Sequence, residues 1–149
     1  MNPTGALREL LTELASVPGM LAVVDSGETV AEMHSPAGLE LELDGQWWEI
    51  KAGNWHTHLK PGSVSGVQFV EATEDAHTVI PMLYYVRFSD DVGGTMIRFY
   101  FPSPWLDDDE SRAEFQPEKL ALFETVRDHY VGRDGIVSVT RNVPPKTAQ

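Results

Sequence analysis

Trp47 and Trp48 are followed closely by Lys51-Ala52-Gly53-Asn54-Trp55-His56-Thr57-His58-Leu59-Lys60. Three of the four tryptophans and two of the five histidines fall in this stretch, so it is the first place to look for chemistry. On an extended strand His56 and His58 project from one face, and Trp55, Thr57 and Leu59 from the other. Two imidazoles so spaced suit one metal ion. Alternatively, one ligates a haem iron while the other stands near the edge. The competing reading is two ordinary polar residues on a solvated strand. A cupin-like metal site needs an acid soon after the second histidine and a third histidine later. Leu59-Lys60-Pro61-Gly62-Ser63 supplies no acid. That leaves His56, His58 and the more distant Glu71 as a two-histidine, one-carboxylate alternative.

Cations are scarce. There are 11 Lys and Arg against 23 Asp and Glu, a formal net charge of −12. Such a chain is repelled by nucleic acid and anionic lipid unless its cations gather in one patch. Arg87 and Arg98, on two predicted strands, are therefore notable. Each either pairs with a surplus acid or holds a ligand carboxylate with its planar fork. Lys51 and Lys60 flank the histidine strand as point charges. His34, His77 and His129 read as structural or exposed, and Asp107–Glu110 as a solvated acidic loop. The absence of cysteine excludes disulfides, thiolate metal sites and thioether-linked haem. There is no Walker A loop, dinucleotide fingerprint, nucleophile elbow or HExxH helix.

These residues need a scaffold. Leu7, Leu10, Leu11 and Leu14 mark an amphipathic helix that Thr4 would cap and Pro18-Gly19 would end. Strands are predicted over residues 20–25, 28–33, 39–43, 46–52, 55–59, 66–71, 79–88 and 95–101. Asp44-Gly45 reads as a type I′ turn. Met82, Tyr84, Val86 and Phe88 share one face of the longest strand, and Leu83, Tyr85 and Arg87 the other. Met96, Arg98 and Tyr100 share a face of its partner. Pro117 opens a second helix over residues 118–130, Gly132 follows its end, and a short strand over 136–140 comes last. Short turns between strands predict a mostly antiparallel sheet. The expected fold is therefore α+β: a large antiparallel sheet with an N-terminal and a C-terminal helix. The 149 residues suit one domain over 1–149, frayed at 1–5 and 144–149. Neither a signal-like leader nor a membrane-length apolar run is present, so a cytoplasmic protein is expected.

The order of elements, with Trp55-His56-Thr57-His58-Leu59, Val67-Gln68-Phe69-Val70, Tyr85-Val86-Arg87-Phe88, Phe99-Tyr100-Phe101 and a closing helix carrying Phe123–Tyr130, resembles the compact haem-utilisation carriers. These are the HutX/ChuX-like proteins related to HemS. The resemblance spans about residues 5–132. It implies a cytoplasmic carrier that binds haem b noncovalently, for storage, transfer or iron use, rather than an enzyme. It also implies a homodimer, because larger relatives hold two such units in one chain. His58 matches the family histidine and is the expected iron contact, with His56 the alternative. Trp55 and Tyr85 would supply ring faces, and Arg87 and Arg98 would hold the propionates. Two other readings stand beside it: a metal-dependent enzyme using His56 and His58, and a module that binds a basic protein partner.

Overall fold

The computed structural model describes residues 4–73 and 80–142. Helix α1 (Thr4–Ala15) buries Leu7, Leu10, Leu11 and Leu14 almost completely. Each of those leucines contributes roughly 1.5–3 kcal/mol by leaving water. Two sheets share the core. Strands β1 (Leu21–Asp25), β2 (Val30–His34), β6 (Gly66–Thr73), β7 (Met82–Ser89), β8 (Thr95–Tyr100) and β9 (Val137–Arg141) form a six-stranded sheet in the order β2-β1-β8-β7-β6-β9. Strands β3 (Glu40–Glu42), β4 (Trp48–Ala52) and β5 (Trp55–Leu59) form a three-stranded sheet in that order. Helix α2 (Pro117–Tyr130) follows the large sheet, with Pro117 in its first turn and Gly132 at a left-handed φ of 98° beyond its end. This is the α+β arrangement that the hydrophobic periodicities predict.

One apolar cluster joins α1, α2 and the inner faces of both sheets. Trp48, Ile50 and Leu59 enter it from the small sheet, Phe69, Val86, Phe88 and Phe99 from the large one, and Phe123 and Val126 from α2. The outer face of the large sheet has a cluster of its own. There Val70, Ala72 and Tyr85 are buried beside Leu83, Tyr100 and Val139. Gly38, in the link from β2 to β3, sits against the end of α1 at φ 98°, where a Cβ would meet the Ala15 carbonyl oxygen at 2.7 Å. Only glycine fits such a place without strain.

Several local details differ from the sequence expectations. The β3–β4 link is not a two-residue turn, because residues 43–47 all lie outside the strands. Trp48 is buried there and Trp47 is largely exposed. A register shift between Phe88 and Ser89 accompanies Met96 packing on the main core, so Met96 does not side with Arg98 and Tyr100. β7 starts at Met82, with Ile80 and Pro81 outside it, while residue 79 lies outside the described residues. β9 pairs with β6 in parallel, the one parallel ladder among the described strands. His77 lies outside the described residues.

Candidate functional site

β5 is the edge strand of the small sheet, and its register is set by the tight link at Gly53-Asn54, which places Ala52 opposite Trp55. The same ladder puts Lys51 opposite His56 and Glu49 opposite His58. Across β3, Glu40 faces Lys51 and Glu42 faces Glu49. The outer face of this sheet is therefore two rows, Glu40–Lys51–His56 and Glu42–Glu49–His58. Both histidines are exposed, and their ring centres lie 5.2 Å apart at 88°. Lys51 Nζ is 3.6 Å from Glu42 and 3.5 Å from Glu49. Glu42 first, and Glu49 next, hold its ammonium above the ordinary lysine range. Trp55 belongs to the opposite face of β5 and is 73% exposed. Lys60 caps the Trp47 ring at 5.7 Å.

Arg87, Arg98 and Tyr85 stand elsewhere, on the outer face of the six-stranded sheet. Arg87 is spent on its own hairpin and neighbour, donating to Thr95 Oγ1 at 2.6 Å, to Gln68 Oε1 at 2.8 Å and to the Gly93 carbonyl. Arg98 Nη1 lies 3.7 Å from Asp25, and its guanidinium sits 6.0 Å from the centre of the Tyr85 ring. Its Nε is buried with no acceptor among the described residues. The Tyr85 and Tyr100 rings are 4.7 Å apart, and Arg141 donates to the Tyr85 hydroxyl at 3.2 Å. A shallow groove of about 260 Å³, lined by Leu21, Val23, Val30, Leu83 and Tyr100 with Arg98, Asp25 and Glu32, opens beside them. That volume is below the roughly 300–1,000 Å³ of a usual small-molecule pocket.

The residues singled out in the sequence thus do not meet in one cleft of one chain. Alternation assigns a side chain to a face of its own strand, but not to the sheet that strand joins. Within one chain, His58 and the pair Arg87 and Arg98 stand on faces of two different sheets. The Glu71 alternative is overturned. Glu71 is on β6, bound by Arg127 of α2 at 3.2 Å, away from the histidine strand. His34 is exposed at the end of β2, and His129 is exposed with Nδ1 3.6 Å from Glu13. Glu49 and Arg141 were passed over. Counting back from the Gly53-Asn54 link would have found Glu49. Nothing local marks Arg141, which reaches Tyr85 only through the parallel β6–β9 ladder.

The comparisons with known proteins agree with this architecture. A family model matches residues 8–126, most of the chain. The heme-binding protein ChuX superposes with a TM-score of 0.61 at 11% identity, over 86% of this chain and 72% of that one. The chain belongs to the family which that model describes and has the ChuX/HemS-like carrier fold. A protein from Agrobacterium tumefaciens is similar over 85% of this chain and 68% of its own, with a TM-score of 0.65 and 21% identity. PhuS, a heme-binding protein from Pseudomonas aeruginosa, gives a TM-score of 0.55 at 12% identity over 81% of this chain. That match covers 32% of PhuS, so the chain spans about a third of it. No curated protein matches the sequence. At these identities the superpositions establish the fold. Among the described residues no helix is long and apolar enough to cross a membrane.

Proposed function

We propose that this member of the family binds haem b noncovalently in the cytoplasm and hands it on, as a carrier rather than a catalyst. The observation that carries the reading is the shared fold with heme-binding ChuX and PhuS, combined with an exposed imidazole on the edge strand. The donor set fits the group in kind. His58, with His56 beside it, would supply an imidazole nitrogen to the iron, a donor that haem iron commonly takes. Among the described residues Arg98 keeps a buried Nε–H without an acceptor, and Arg141 donates to the hydroxyl of the Tyr85 ring beside which Arg98 sits. Trp55, on the other face of β5 at its first residue, would reach a porphyrin only past the strand edge. When bound, haem supplies the iron that the carrier transports.

Placement adds a condition. The histidine face carries Glu40, Glu42 and Glu49 against Lys51, a poor setting for two propionates. The arginine face is in another sheet. We therefore infer that the chain works as a homodimer, in which one protomer's arginine face meets its partner's histidine face. Two-fold symmetry then makes two equivalent sites. The length of PhuS, more than twice that of the unit this chain matches, supports such a pairing. The test is gel filtration of the haem-loaded chain with light scattering. The expected result is haem co-eluting with a species of twice 16.6 kDa. Haem eluting free, from a monomer, would reject both parts of the reading.

A further inference from the structure

The histidine face has a second capacity, which does not depend on the haem reading. His56 and His58 are held on one side of an edge strand with ring centres 5.2 Å apart. With metal–nitrogen bonds of about 2.0–2.1 Å, two imidazoles on one tetrahedral ion have their ring centres about 5 Å apart. The rings thus already have the spacing of a chelate. Glu49 lies directly across the ladder from His58. Its present partner is Lys51, at 3.5 Å on a partly exposed face, a contact worth little and readily exchanged. Glu40 and Glu42 complete a face with three carboxylates and one ammonium, which favours a cation. Among the described residues no three His, Asp or Glu side chains converge as they stand, so the rings supply the spacing, and the imidazoles and Glu49 must turn to bring their donors together.

We propose that His56 and His58 chelate one divalent transition-metal ion of the zinc, nickel or copper type, with Glu49 as third ligand and water in the remaining position. Nitrogen and carboxylate donors in this number suit borderline cations rather than calcium or magnesium. The site shares His58 with the proposed haem contact, so the two ligands exclude one another.

The test is zinc titration of the haem-free, tag-free chain at pH 7.5, by calorimetry. One zinc per chain is expected, with affinity at least tenfold weaker in His56→Ala and in His58→Ala, severalfold weaker in Glu49→Gln and unchanged in His34→Ala. Zinc binding that survives His56→Ala would overturn the site, and unchanged binding in Glu49→Gln would overturn the third ligand. A haem titration of Glu49→Gln separates the two readings. Haem binding retained with zinc binding weakened supports two uses of the face that share only its histidines. Haem binding weakened as much as zinc binding would overturn the assignment of Glu49 to the metal. In the wild type, added zinc should weaken haem binding, and haem binding indifferent to saturating zinc would contradict the shared ligand.

Discussion

Haem binding should fall 10- to 100-fold when His58 is replaced by Ala, which is about 1.4–2.8 kcal/mol of binding free energy. The imidazole is exposed on an edge strand and supports no core packing, so its removal leaves the fold intact. The loss therefore reads out the iron contact rather than stability. His129→Ala is the matched control. That histidine is also exposed, but it sits on α2 beside Glu13, and its replacement should leave haem affinity unchanged. A Soret titration of both variants checks the pair. Equal affinities in the two variants would remove His58 from the site.

A large effect of another kind is expected at Phe123. Its ring is fully buried on α2 and meets Phe69 at 6.0 Å, Tyr84 at 5.1 Å and Phe101 at 5.2 Å, with the Arg127 guanidinium 5.9 Å from its centre. These neighbours come from β6, from β7, from the residue that follows β8, and from α2 itself. Phe123→Ala leaves a cavity that so many fixed partners cannot close. It should cost about 3–5 kcal/mol and lower Tm by roughly 10 °C. Phe115, 44% exposed and packed on Trp105, is the comparison. Its replacement by Ala should cost less than about 1 kcal/mol. Urea unfolding of the two variants measures both, and a Phe123→Ala midpoint near that of the parent would refute the core assignment.

Much of the fold is legible in local pattern. The bounds of β5 are readable because Gly53-Asn54 and Pro61 punctuate an extended run, and those of α2 because Pro117 and Gly132 frame it. The leucine stripe of α1 is a plain helical period. The site is less legible for a definite reason. The outward direction of Arg87 and of His58 follows from alternation, yet each outward face belongs to a different sheet. Which strands pair is decided by contacts distant in sequence. β1 joins β8, and β9 joins β6, through ladders that no turn announces. Glu49 opposite His58 sits between these cases, since one short link determines its register.

The central claim is that an imidazole of the edge strand takes haem iron in this protein. Haem titrated into the unmodified chain, followed in the Soret band, tests it most directly. The expected result is a shifted band that saturates at one haem per chain at micromolar concentration. A band that stays at the position of free haem and grows linearly with added haem would contradict it.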